Sequence, residues 1–221
     1  MSATTAGNTR EFPFSAEHFR VISDRVYRFS GIRLPEGKRE MVYARLARRL
    51  RSLGISSFDD YLRFLELEPA EWEHCTNALT TNVTSFYREE HHFRTLAEHA
   101  RATAKAGETF RVWSAGCSTG EEPYTIAMCL AEALEGAPYQ VLASDLDTQV
   151  IATAREGIYP LQSVLKLTEE RQKRFFLKGS GRFEGKARIR PELGARVEFL
   201  RVNLMDAEWP IERGLDAIFC R

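Results

Sequence analysis

From Phe110 onward the chain alternates strand-like and helix-like patterns, and this rhythm constrains its fold more than any other feature. Residues 110–113, Phe-Arg-Val-Trp, are aromatic and β-branched and predict a short strand. A turn holding Gly116 and Gly120 follows, and helical spacing then runs over 120–134. A second strand is expected over 139–144 and a second helix over 147–156. Strands that alternate with helices pair in parallel through βαβ crossovers. A third helix is expected over 168–176, and two more strands over 197–202 and 215–219. Within 179–190, Gly179, Gly181 and Gly185 punctuate short alternating stretches, which predicts a small antiparallel insertion over about 178–195.

The first part of the chain has only the helical period. Phe19, Ile22, Val26 and Phe29 fall on one face of a helix over 15–30, with Ser15 as N-cap and Gly31 as stop. Met41, Val42, Leu46, Leu50 and Leu53 predict a second helix over 37–53, closed by Gly54. Ser57 caps a third, with Phe58, Tyr61, Leu62 and Leu65 inward, and Pro69 suits the first turn of a fourth that reaches Leu79. This gives an all-helical domain over 15–80 behind a disordered lead-in over 1–14. The polar stretch over 80–85 disfavours helix, and a helix over 89–105 follows, so 81–108 is read as a linker segment and helix. The α/β domain then spans 109–221.

Bulk composition excludes more than it identifies. Lys+Arg and Asp+Glu both number 31, so the net charge of zero favours neither a nucleic-acid binder nor an acidic tail. No stretch approaches the ~18–20 apolar residues of a membrane span, and the N-terminus lacks an apolar signal core. The four cysteines, Cys75, Cys117, Cys129 and Cys220, have no CxxC spacing and read as reduced thiols of a cytoplasmic protein without a zinc site. Charge is uneven along the chain, however. Arg20, Arg25, Arg28, Arg33, Lys38, Arg39, Arg45, Arg48, Arg49 and Arg51 crowd the first two helices, whereas 59–73 is acidic.

The turn Ser114-Ala115-Gly116-Cys117-Ser118-Thr119-Gly120-Glu121-Glu122-Pro123 sits where open α/β sheets bind nucleotides. Glycine lets a backbone approach a ligand closely. The GxxxG spacing meets neither GxGxxG nor GxxxxGK[ST], and a plain βα turn is the alternative reading. The glutamates narrow the choice. A helix N-terminus attracts anions, but Glu121 and Glu122 already neutralise this one, so a phosphate would be repelled. S-adenosylmethionine (AdoMet) carries a sulfonium, an ammonium and no phosphate, and it fits better. Asp145 stands at the end of the second strand, 25 residues after Gly120 (145 − 120), near the ~20 expected of an acid that holds a ribose. Asp147 suits the cap of the next helix, which leaves Asp145 for the ribose.

Four stretches resemble the chemotaxis receptor glutamate methyltransferases (CheR-type): LTTNVTSFYREEHHF over 79–93, RVWSAGCSTGEEPYTIAM over 111–128, ASDLDTQVIATAREGIY over 143–159 and LDAIFCR over 215–221. The resemblance implies an N-terminal all-helical domain followed by a Rossmann-like, AdoMet-dependent methyltransferase domain with a small antiparallel β insertion. It implies methyl transfer from AdoMet to receptor glutamates, with S-adenosylhomocysteine as product. By position it assigns cofactor contacts to Asn82, Thr84, Arg88, Ala115, Gly116, Glu122, Asp145, Asn203 and Leu204, and a catalytic role to Arg88. A glutamate carboxylate is ionised at neutral pH and attacks without a general base. His91 and His92 read as packing or capping groups. Arg45, Arg48 and Arg49 are expected to dock the acidic helices of a receptor, and residues 179–190 to take a receptor tail peptide by strand addition. The protein is expected to act as a monomer.

In the resembled family the chain continues past the stretch ending at Arg221 with an Asn, a Tyr and further strands and helices. A sheet built from these residues alone is expected to have an uncovered edge. Two other readings are an AdoMet-dependent enzyme for another substrate and a non-catalytic binding adaptor. The first is disfavoured by the lack of the Asp/Asn-Pro-Pro-aromatic motif of amino-methylating enzymes.

Overall fold

The computed structural model describes residues 10–221 and divides into two compact units, Met1–Thr81 and Asn82–Arg221. The first is helical: α1 (Ala16–Ser30), α2 (Arg39–Leu53), α3 (Phe58–Leu67) and α4 (Glu71–Leu79). The expected caps are in place. Ser15 and Ser57 accept the N–H groups of His18 and Asp60, and Gly31 and Gly54 end their helices in the left-handed conformation. Pro69 lies in the turn before α4, which starts two residues later than the Pro-first reading. A 3₁₀ turn, Glu36–Lys38, leads into α2.

The expected disordered lead-in is corrected where it can be described. Residues 1–9 of it lie outside the described residues, but Phe12 and Phe14 are buried in the helical core. Their rings lie 6.4 and 4.5 Å from that of Phe58. Two phenylalanines offer too much apolar area to leave in water beside an open hydrophobic groove. That core also holds Ile22, Val26, Val42, Leu46, Leu50, Tyr61 and Leu65.

The second unit is α/β. It opens with α5 (His91–Thr103), then β1 (Phe110–Ser114), α6 (Glu121–Ala133), β2 (Tyr139–Asp145) and α7 (Thr148–Glu156). A small section follows: β3 (Ile158–Pro160), α8 (Leu161–Val164), α9 (Glu169–Phe175), β4 (Phe176–Lys178), β5 (Lys186–Ile189) and α10 (Pro191–Gly194). The unit closes with β6 (Val197–Arg201) and β7 (Ala217–Phe219). β1, β2, β6 and β7 form one parallel sheet in the order β6-β2-β1-β7, with Val112 opposite both Val141 and Ala217. The buried runs of β1 and β2 are what a parallel sheet covered by helices demands. α6 is apolar nearly all round because it packs on both the sheet and α5.

The antiparallel sheet, order β3-β5-β4, draws on more of the chain than the 178–195 expected for it. Its outer strands are three residues each, Ile158–Pro160 and Phe176–Lys178, too short to show an alternating pattern. Residues 181–183, read as part of a strand section, form a 3₁₀ turn.

The packing of Phe14 yields a first test. Phe14→Ala is expected to lower stability by about 3 kcal/mol in chemical denaturation. An unchanged denaturation midpoint would show that residues 10–14 do not belong to the helical core.

Candidate functional site

The strand order places the site. From β1 the chain moves to β2 and β6 on one side, and only at β7 does it return to the other side of β1. Adjacent connections therefore diverge at the carboxyl end of β1, which leaves a crevice where open α/β sheets bind ligands. Ala115, Gly116 and Cys117 leave β1 at this point. The N–H of Ala115 donates to the Phe219 carbonyl on the β7 side (2.7 Å), and that of Cys117 to the Ser144 carbonyl on the β2 side (2.8 Å). The loop is thus held across the divergence.

Two carboxylates face this crevice. Glu122 is 5% exposed, and accepts from the Ser114 hydroxyl (2.8 Å) and from Nε of Arg221 (2.8 Å). Asp145 accepts the N–H of Ser118 on Oδ2 (2.8 Å) and that of Asp147 on Oδ1 (3.0 Å). Burial pushes the Asp145 carboxyl above the usual aspartate range, and these backbone N–H groups oppose the rise. A carboxylate has about four acceptor positions, so these bonds leave Asp145 capacity for a further donor. Asp147 caps α7 through the N–H groups of Gln149 and Val150, as its position predicts, and its other oxygen accepts from Asn82 Nδ2 (2.8 Å).

The two loop glycines differ in purpose. A Cβ on Gly116 would meet nothing closer than the Arg221 carbonyl oxygen at 3.4 Å. On Gly120, at φ +97°, it would come within 2.7 Å of the Tyr159 hydroxyl and 2.9 Å of Ala154. The reading of Gly120 as room for a ligand is therefore corrected: Tyr159, which donates to the Thr119 carbonyl (2.7 Å), occupies that space. Glu121 is bound by the Thr119 hydroxyl (2.6 Å).

The segment after α4 comes to the same loop. The Asn82 carbonyl accepts from the Ser118 hydroxyl (3.3 Å), so Asn82 is tied to both the loop and Asp147. Thr84 is half-buried, and Arg88 is exposed with Nη1 donating to the Val83 carbonyl (2.7 Å). Arg221 joins this segment to Glu122, because its Nη1 reaches Glu89 (2.6 Å) and the Arg88 carbonyl (3.2 Å). Beyond β6, the Val202 N–H donates to the Asp145 carbonyl (3.1 Å), which sets Asn203 and the exposed Leu204 next to the end of β2. Sequence reasoning missed Ser118, Asp147 as an anchor for Asn82, and Arg221. The last was within a recognised motif, but its partners are remote in sequence.

A model of the CheR methyltransferase all-alpha domain matches residues 17–80, and one of the CheR methyltransferase SAM-binding domain matches residues 82–221. The chain belongs to the CheR methyltransferase family. It is 48% identical over 214 residues to chemotaxis protein methyltransferase 2 of Pseudomonas aeruginosa, covering 96% of this chain and 76% of that protein. It is 51% identical to the chemotaxis protein methyltransferase of Klebsiella aerogenes, covering 96% and 73%, and 48% identical to that of Escherichia coli, covering 96% and 75%. The α/β unit is thus the AdoMet-binding domain of a CheR methyltransferase, with AdoMet as methyl donor.

The residues present fit that donor. The loop after β1 and the end of β2 carry Glu122, Asp145 and Gly116, residues 110–123 and 139–147 contain no lysine, and Glu122 already accepts a guanidinium. The docking arginines divide. Arg45 donates to the Ala78 (3.2 Å) and Thr80 carbonyls at the end of α4, and Arg49 makes a two-pronged pair with Glu71 (2.8 and 2.6 Å), to which Tyr61 also donates (3.0 Å). Glu71 is buried, while Arg45 and Arg49 are half-buried and hold internal partners within the helical unit. Arg48 stays exposed, its Nε turned to the Ala44 carbonyl of its own helix.

Gly120→Ala is expected to lose at least ~1 kcal/mol of stability, since both the left-handed backbone and the Tyr159 hydroxyl oppose a methyl group. A melting temperature equal to that of the unmodified protein would contradict the assignment of this space to Tyr159.

Proposed function

We propose that the protein transfers the methyl group of AdoMet to glutamate side chains of chemoreceptors, in the cytoplasm. The observation that supports this best is the acidic, lysine-free crevice at the end of β1, with Glu122 and Asp145 on its walls. Asp145 accepts the ribose hydroxyls on the lone pairs left by Ser118 and Asp147. Ala115 and Gly116 supply backbone next to the cofactor, Glu122 faces its positive end, and Asn203 with Leu204 borders the base. Asn82, Thr84 and Arg88 lie over it. AdoMet, when bound, supplies a methyl group on a sulfonium that is ready for in-line displacement. That methyl would pass to a receptor carboxylate oxygen, with the electron pair of the broken C–S bond remaining on sulfur.

The chain's own task is positioning. The acceptor carboxylate is already ionised at neutral pH, so no proton need be removed. Holding two reactants in line accounts for much of such a rate, and a guanidinium such as that of Arg88 aligns a carboxylate by paired hydrogen bonds. Free thiols and the lack, among the described residues, of a helix fit to cross a membrane accord with a cytoplasmic setting.

For receptor docking the proposal now rests on Arg48, since Arg45 and Arg49 have internal partners. The small sheet is the candidate seat of a receptor tail. β5 lies between β3 and β4, so strand addition must use an outer strand. A hollow of about 170 Å³ on this sheet is lined by residues of all three strands, Ile158, Leu177, Lys178, Lys186 and Arg188 among them, together with Phe183.

Asp145→Ala is expected to weaken AdoMet binding at least tenfold in calorimetry, in keeping with the loss of charge-assisted bonds worth about 1.5–3 kcal/mol. Because burial raises the Asp145 pKa, affinity should be level at high pH and fall as pH drops through that raised value, above the ~3.9 of a free aspartate. The Ala variant should lose this dependence, and a variant that keeps it would remove Asp145 from the ribose.

Arg48→Glu is expected to lower kcat/KM for a receptor fragment about threefold or more at low salt, with the effect shrinking at high salt and no change in melting temperature. Arg45→Glu should instead lower the melting temperature. Unchanged receptor methylation in Arg48→Glu would refute docking on this face.

A further inference from the structure

Arg88 is bracketed by two residues in a backbone conformation that side chains resist. Tyr87 has φ +53° and Glu89 φ +58°. Left-handed backbone is uncommon outside glycine, and a residue stays there only when its surroundings hold it. The Tyr87 N–H donates to the Thr125 hydroxyl on α6 (3.2 Å). The Tyr87 ring lies under the Arg171 guanidinium (4.1 Å to the ring centre), and Arg171 is fixed by two bonds of 2.9 Å to Glu132. The Tyr87 hydroxyl is buried without a hydrogen-bond partner, so the ring serves through packing. Glu89 is exposed but held by Arg221, whose guanidinium also reaches the Arg88 carbonyl and Glu122.

We infer that the turn over 86–90 is a strained mount that fixes the direction of Arg88, and that Tyr87 and Glu89 are positioning residues acting through Arg88. Clamped by α6 and α9 on the Tyr87 side and by Arg221 on the Glu89 side, the turn cannot relax. Arg88 therefore meets its partner with little orientation left to lose. The inference rests on the role proposed for Arg88 in methyl transfer.

Glu89→Ala and Glu89→Gly test this by transfer of radiolabelled methyl to base-labile esters on a receptor fragment. Both variants lose the carboxylate that Arg221 holds, so they differ in backbone preference alone. Alanine keeps the strain without the restraint, and the turn should flip. Glycine has no strain to relieve and should stay. The expected result is a fall in kcat/KM of about tenfold for Ala, with Gly within about threefold of the unmodified protein. The Gly variant should melt no lower than the Ala variant, since glycine relieves the left-handed strain at residue 89. In an Arg88→Ala background the gap between Ala and Gly should vanish, because residues that act through one group are not additive. Equal rates for Ala and Gly, or a gap that persists without Arg88, would overturn the inference. An Arg88→Ala protein as active as the original would overturn it together with the role of Arg88. No methyl transfer by the unmodified protein would instead sink the proposed function.

Discussion

The α/β unit depends on the hydrogen bonds that converge on Asp145. Its side chain takes the N–H of Ser118 from the loop after β1 and that of Asp147 from the start of α7, and its carbonyl takes the N–H of Val202 from the end of β6. Three elements that diverge from the sheet are thereby fixed around one residue. Asp147 extends the arrangement to Asn82, so the segment before α5 is tied to the same point. A carboxylate partly withdrawn from water is costly unless it is well bonded. Its raised pKa reflects that cost, and a ligand that adds donors would offset part of it.

The crevice opposes phosphate and welcomes a cation for related reasons. Glu121 is engaged by Thr119, while Glu122 is nearly buried at the loop and bonded to Ser114 and Arg221. The two neighbouring acids therefore differ, one on the turn and one facing the site. On the proposed role of Asp145, a nucleoside held there would have its other end close to negative charge, which suits a sulfonium and an ammonium. Methyl transfer to an ionised carboxylate needs geometry more than proton transfer, and the unit supplies restraints: a loop held across two strands, a bracketed arginine and a segment tied to the loop and to Asp147.

Much of this was legible in the sequence because the signals were local. Ser15, Ser57, Gly31, Gly54 and Asp147 are caps whose geometry depends on a few neighbours, and the short apolar stretches of β1 and β2, alternating with helical patterns, point to buried parallel strands. What escaped was set by distant partners. Nothing near Arg45 or Arg49 announces that one meets the end of α4 and the other a buried Glu71. Gly120 reads as a ligand glycine until Tyr159 is seen to fill its space. The three-residue strands β3 and β4 are too short for periodicity, and Phe12 and Phe14 looked like part of a polar lead-in because their groove is made by later helices.

The central claim is that this crevice selects an adenosine ligand with positive charge and no phosphate. It is tested most directly by calorimetric titration of the protein with AdoMet and, in parallel, with ATP, which shares the adenosine but carries phosphates. The account predicts saturable AdoMet binding at least about a hundredfold tighter than that of ATP, a difference of about 2.7 kcal/mol. ATP binding as tight as AdoMet binding would contradict it.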